Sequence, residues 1–222
     1  MTRNEIAAML DHSVLKPEAD ANAIRDGAAV VREWRVGFYC VQPFWVRAAV
    51  ESLHGTDARV ISVVGFPHGL ECADIKASAA LRAVADGARE IDTVINLGAL
   101  KSGDIAAVAH DLATIISAVP GIPVKVILET AALTDDEKRL ACRLAVEAGA
   151  AFVKTSTGFH VAGGATAADV ALMRAAVPAA MGIKASGGIR TLTDVEVMLA
   201  AGATRIGTSA SASILAAVDG RA

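Results

Sequence analysis

Eight short runs of β-branched and apolar residues alternate along this chain with longer, alanine-rich stretches of helical pattern. The runs fall at 11–14, 37–42, 60–66, 90–96, 124–130, 152–157, 182–187 and 204–209. Their starts recur about every 22 to 34 residues, which leaves room for one crossover helix between successive parallel strands. Glycine punctuates several helix-to-strand turns, in Asp86-Gly87-Ala88, Ala148-Gly149-Ala150 and Ala201-Gly202-Ala203, where a helix is expected to stop. Thr134 with Glu137 fits a capping box at a helix start, and Thr191 with Asp194 is a looser version. Eight such units in 222 residues, without a linker or composition shift, predict an α/β fold: a single (β/α)8 TIM barrel forming one domain over 1–222. A doubly wound open sheet is the competing architecture on pattern alone.

Hydrophobic residues make up 54% of the chain but aromatics only 4%, so Ala, Val, Ile and Leu must fill the core. A formal net charge of −3 supplies no global field for nucleic acid or an anionic membrane, and neither is expected as a partner. The three cysteines, Cys40, Cys72 and Cys142, contain no Cys-x-x-Cys pair; they fit a reducing cytoplasm rather than a disulfide framework or zinc cluster. The first dozen residues lack the apolar stretch of a signal peptide. The apolar window 112–128 is broken by Pro120, Gly121, Pro123 and Lys125, so it does not read as a membrane span. No His-x-x-x-His spacing occurs among the five histidines, and no metal or cofactor is expected. His12 and His68 read as hydrogen-bonded residues at the barrel rim.

Alternate residues of a barrel strand face the lumen. One consistent register then collects Asp11, Asp92, Lys125, Glu129, Lys154 and Lys184 inside, three acids and three bases, close to the neutrality that buried charge demands. Lys125 and Glu129 read as parts of a structural ion network inside the barrel. Asp92, Lys154 and Lys184 lie on strands four, six and seven, toward the end of the barrel where such enzymes work. Cys40 is a further inward candidate, read mainly as a small apolar filler.

Two lysines beside one acid suit carbonyl chemistry. A free lysine, with a pKa of about 10.4, is an ammonium at neutral pH and cannot attack a carbonyl. A second cation ~4 Å away, at an effective dielectric of ~20, costs about 4 kcal/mol and lowers that pKa by about three units. Burial pushes the same way. A neutral Lys154 would add to an aldehyde, giving a carbinolamine and then an iminium. The iminium is an electron sink, so the neighbouring carbon–carbon bond breaks or forms through an enamine. Asp92, Lys184 and water are the expected proton carriers.

An anion site is expected beside this chemistry. Strand seven runs into Ser186-Gly187-Gly188-Ile189-Arg190, and strand eight ends Gly207-Thr208-Ser209. Glycines in these loops let backbone N–H groups approach a phosphate at a helix N-terminus. Gly158, after strand six, adds another donor, and Arg190 a charge. The expected substrate is a small phosphorylated aldehyde or sugar.

These segments, with Leu10-Asp-His-Ser-Val-Leu-Lys-Pro17, Gly65-Phe-Pro-His-Gly69, Glu90-Ile-Asp-Thr-Val-Ile-Asn-Leu-Gly-Ala-Leu100, Val126-Ile-Leu-Glu-Thr130 and Phe152-Val-Lys-Thr-Ser-Thr-Gly-Phe159, resemble the deoxyribose-phosphate aldolases, a class I aldolase family. The resemblance spans nearly the whole chain in family order. It implies reversible cleavage of 2-deoxy-D-ribose 5-phosphate to D-glyceraldehyde 3-phosphate and acetaldehyde, in deoxynucleoside breakdown. It places Lys154 as the Schiff-base nucleophile, Lys184 as the perturbing lysine and Asp92 as the proton-relay acid. It places phosphate on Gly158, Gly187, Gly188, Gly207 and Ser209. It also implies a cytoplasmic homo-oligomer, often a dimer. Two departures stand out. Longer members of the family carry a C-terminal tyrosine that assists proton transfer, whereas the only tyrosine here is Tyr39. Some relatives have two successive serines in the last phosphate loop; here Ala210 follows Ser209, with Ser211 an offset substitute. Two other readings stay open: a different phosphate-binding barrel enzyme using the same lysine, and a phosphosugar-binding barrel without catalysis.

Overall fold

The computed structural model describes residues 1–220. Eight parallel strands close into a barrel in sequence order: β1 (Leu10–Val14), β2 (Phe38–Val41), β3 (Arg59–Val64), β4 (Glu90–Val94), β5 (Val124–Ile127), β6 (Phe152–Lys154), β7 (Gly182–Ser186) and β8 (Arg205–Thr208). Closure is made by β8 on β1, with Leu10, Asp11 and His12 opposite Ile206, Gly207 and Thr208. A closed ring leaves no sheet edge, so the open-sheet alternative is set aside.

The outer helices are α1 (Arg3–Met9), α2 (Ala21–Trp34), α3 (Val46–Ser52), α4 (Ala73–Ala85), α5 (Leu97–Lys101), α6 (Ile105–Ala118), α7 (Asp135–Glu147), α8 (Ala167–Ala176), α9 (Leu192–Ala200) and α10 (Ser211–Asp219). The capping boxes at Thr134 and Thr191 both form. An unanticipated element is α1, which starts at its own Thr2–Glu5 capping box and buries Ile6 and Ala7. The Gly37 N–H donates to the Ala7 carbonyl at 2.9 Å, tying α1 to the entry of β2.

Strand alternation divides the interior in two. Leu10, Ile91, Val126, Val153, Ile183 and Ile206 point outward into the layer shared with the helices and are fully buried. Inside the barrel, Leu15, Cys40, Ile61 and Val63 form a separate apolar cluster on the β1–β3 side. Most of the charge sits on the remaining strands.

Several strands stop earlier than their β-branched runs. After β4, Asn96 leaves the ladder and caps α5 by accepting from the Ala99 N–H. After β5, Glu129 takes a left-handed conformation, φ 57° and ψ 58°, which breaks the alternation. No helix among the described residues is long and apolar enough to cross a membrane; the apolar window 112–128 divides among α6, a turn and β5. All three cysteines are free, Cys40 and Cys142 buried and Cys72 exposed.

Candidate active site

The register sets Lys154 directly beside Lys184, and Asp92 beside Lys125. All four side chains enter the lumen, and the three lysines converge on the Asp92 carboxylate. Lys154 Nζ donates to Asp92 Oδ2 at 2.8 Å, Lys184 Nζ donates to the same oxygen at 2.7 Å, and Lys125 Nζ donates to Oδ1 at 2.9 Å. The two nitrogens on one oxygen are therefore held within a few ångströms of each other. Asp11, on β1, lies 2.5 Å from Lys184 through Oδ2 and accepts from Arg205 at 3.0 Å through Oδ1.

The cluster extends deeper than the alternation argument reached. Glu90, two residues before Asp92, pairs with Lys125 and accepts from Arg205 at 3.3 and 3.4 Å. Arg205 lies 3.5 Å from the Phe38 ring centroid, a cation–π contact near the start of the barrel. Sequence reasoning missed both Glu90 and Arg205. The same period of two that gave Asp92 would have found Glu90, and Arg205 stands two before the inward Gly207.

The expected three acids and three bases thus become three carboxylates (Asp11, Glu90, Asp92) and four bases (Lys125, Lys154, Lys184, Arg205). Full protonation leaves one surplus positive charge in a water-poor interior, at a cost of several kcal/mol. The proton with the fewest carboxylate partners is the least supported. Among the described residues, Lys125, Lys184 and Arg205 each pair with two carboxylates, whereas Lys154 pairs with Asp92 alone.

The titration directions agree. Burial holds Lys154 below the ordinary lysine range; Asp92 pulls it back up and Lys184 pushes it down again. Lys184 is also penalised by burial, but Asp11 and Asp92 outweigh that and raise it. Burial opposes ionisation of Asp92, yet Lys125, Lys154 and Lys184 keep it well below the usual carboxylate range. The neighbouring cation is therefore a secondary cause of the Lys154 shift. The larger cause is desolvation, which outweighs the repulsion expected from the sequence.

Lys154 and Lys184 form part of the wall of a cavity of about 580 Å³ at the C-terminal ends of the strands. Asp92 is fully buried behind them and does not border it. Gly158, Gly187, Gly188, Gly207 and Ser209 all line this cavity, as do Cys40 and Arg190. The amides of Gly158, Gly187, Gly188 and Ser209 donate to no protein atom among the described residues, so one hollow presents several unused donors, the setting in which a phosphate binds. Gly207 has a more specific cause: a Cβ there would lie 2.9 Å from Ser186 Cβ and 3.0 Å from Lys184 Cε. Its bare backbone makes room for the Lys184 stem. Lys16 and Thr157, which carried no assigned role, also line the cavity.

Other expectations are corrected. Glu129 does not meet Lys125. The left-handed turn swings its carboxylate to Thr157, and Lys125 is served by Glu90 and Asp92. Ser211 is no substitute for a second phosphate-loop serine, since it is buried against His12 Nδ1 at 3.1 Å. Tyr39 lies in the sheet–helix layer, where its hydroxyl donates to the Ile24 carbonyl at 2.8 Å; it cannot reach the cavity. Burial pushes Cys40 up to about 11, so it is a thiol at neutral pH. His12 is a buried structural residue, and His68 is exposed.

Comparison with known proteins finds aldolases. A family model described as DeoC/LacD family aldolase matches residues 6–217. Deoxyribose-phosphate aldolase 2 of Bacillus licheniformis is 49% identical over 217 residues, covering 97% of each chain. Among solved structures, QR15, an aldolase, superposes with a TM-score of 0.92 at 37% identity over 97% of this chain and 96% of its own. The tetrameric deoxyribose phosphate aldolase from Aeropyrum pernix gives 0.88 at 29% identity, covering 100% and 94%.

Proposed function

This chain belongs to the DeoC/LacD family of aldolases, and from that membership we propose how its activity, the reversible cleavage of 2-deoxy-D-ribose 5-phosphate to D-glyceraldehyde 3-phosphate and acetaldehyde, is divided among its residues. Lys154 is the nucleophile. Its amine adds to the C1 aldehyde of the open-chain sugar, and loss of water gives the iminium. The C3 hydroxyl gives up its proton as the C2–C3 bond breaks. The bonding pair moves into the iminium, glyceraldehyde 3-phosphate departs, and an enamine stays on Lys154. Protonation of that enamine carbon and hydrolysis release acetaldehyde and the amine.

Asp92 and Lys184 move protons. Both lysine nitrogens share Asp92 Oδ2, so a proton passes between them without a large rearrangement. Lys184 carries its charge at the cavity wall, where it serves as the acid. The amides of Gly158, Gly187, Gly188 and Ser209 hold the phosphate, with Arg190 at the rim supplying charge. Gly207 acts beneath them by admitting the Lys184 stem. Asp11 anchors Lys184, and Cys40 packs beside it.

The observation that carries this reading is the singly paired, buried Lys154 next to a doubly paired Lys184. Purified protein given deoxyribose 5-phosphate is expected to release acetaldehyde, and Lys154→Met to release none. Turnover by Lys154→Met at the parent rate would refute the assignment. We further place the protein in the cytoplasm as a homo-oligomer, a dimer by preference. The Aeropyrum pernix relative is a tetramer, and light scattering of the purified chain tests the assembly.

A further inference from the structure

Glu129 is a buried acid, 1% exposed, that meets no cation among the described residues. Its backbone is left-handed, a conformation that side-chain-bearing residues adopt at an energetic cost. Among the described residues, Thr157 alone bonds the carboxylate. Thr157 N–H donates to Oε1 at 3.2 Å and Oε2 at 3.4 Å, and the Thr157 hydroxyl donates to Oε2 at 2.5 Å. That hydroxyl oxygen accepts from the Phe159 N–H at 3.0 Å. A backbone bond from Thr130 N–H to the Thr155 carbonyl, 2.9 Å, fastens the same two segments from the other side.

The consequence falls on the residue in between. The amides of Thr157 and Phe159 are both consumed by this bracket, while that of Gly158 is left without a protein acceptor at the cavity edge. We infer that Glu129 is a positioning residue for the phosphate end of the substrate: it clamps Thr157 so that the Gly158 amide is turned into the cavity. The inference rests on the phosphate site proposed above. It gives a strained, buried acid a task separate from the lysine chemistry, which it reaches only through Thr157, three residues after Lys154.

The test compares steady-state kinetics on deoxyribose 5-phosphate and on unphosphorylated 2-deoxyribose. Glu129→Gly keeps the left-handed backbone and removes the carboxylate; Thr157→Val removes the hydroxyl. Either variant is expected to raise KM for the phosphorylated sugar roughly tenfold, the worth of one hydrogen bond to a charged group. In both, kcat and turnover of 2-deoxyribose stay within about threefold of the parent, an allowance of under 1 kcal/mol. Thr157→Ser restores the KM. An equal loss on both sugars would overturn the inference, because it would mean that Glu129 supports the barrel or Lys154 itself. So would an unchanged KM in Glu129→Gly when the parent prefers the phosphorylated sugar. A parent indifferent to phosphate would instead remove the phosphate site, and the clamp with it.

Discussion

At the residue scale, the reactivity of Lys154 follows from what it lacks. It has one carboxylate where its neighbours have two, and it sits in a site that penalises charge. Replacing Lys184 by Met deletes the adjacent cation and leaves Asp92 to hold the proton on Lys154. The sign is clear: the Lys154 pKa rises, so the acid limb of the kcat/KM profile moves to higher pH, by one to three units at most on a Coulomb estimate of about 4 kcal/mol. A limb that stays in place would contradict the coupling. Gly207→Ala presses a methyl group against the Lys184 stem and is expected to lower kcat at least tenfold, the effect of a small misplacement of reacting groups, ~1.4 kcal/mol or more. Alternation alone made both lysines and Asp92 legible. The order of causes at Lys154 was not, because depth of burial depends on how eight strands close around it.

At the scale of the strand, charge is shared down the barrel. The floor residues Glu90 and Arg205 touch neither the cavity nor Lys154, yet they enter the same count of charges. Glu90→Gln removes a negative charge, enlarges the positive surplus and moves the acid limb to lower pH. Arg205→Met removes a positive charge, relieves the surplus and moves the limb to higher pH. Each variant also loses stability, about 3–5 kcal/mol for a broken buried pair, so opposite displacements of the limb are the diagnostic result. Displacements of the same sign would mean that the floor only supports the fold. The strands were legible from their β-branched runs; their ends were not. Strict alternation carried two residues past Ile127 points Glu129 inward, but a left-handed turn has already ended that alternation.

At the scale of the molecule, the eightfold strand–helix repeat made the architecture readable, since few folds other than a closed barrel bury eight parallel strands in so short a chain. The helix α1 was not anticipated, because seven residues carry little periodicity. One whole-molecule property follows from a side chain with no part in the chemistry. Burial pushes His12 down to about 4 from 6.5. A base whose folded pKa is depressed binds its proton more readily in the unfolded chain. Stability is therefore lost as pH falls from about 6.5 toward 4, by about 3 kcal/mol in all. Thermal unfolding followed across this range is expected to show the decline before the carboxylates titrate. His12→Gln is expected to flatten it, and an unchanged slope in that variant would assign the loss elsewhere.

The central claim is that one uncharged amine, on Lys154, forms the covalent intermediate. Borohydride reduction during turnover of deoxyribose 5-phosphate, followed by peptide mass mapping, tests it directly. A reduced adduct carried by the 152–159 segment on Lys154, absent without substrate and absent from Lys154→Met, is the result predicted here. An adduct on Lys184 or Lys125, or full turnover with nothing trapped on any lysine, would contradict it.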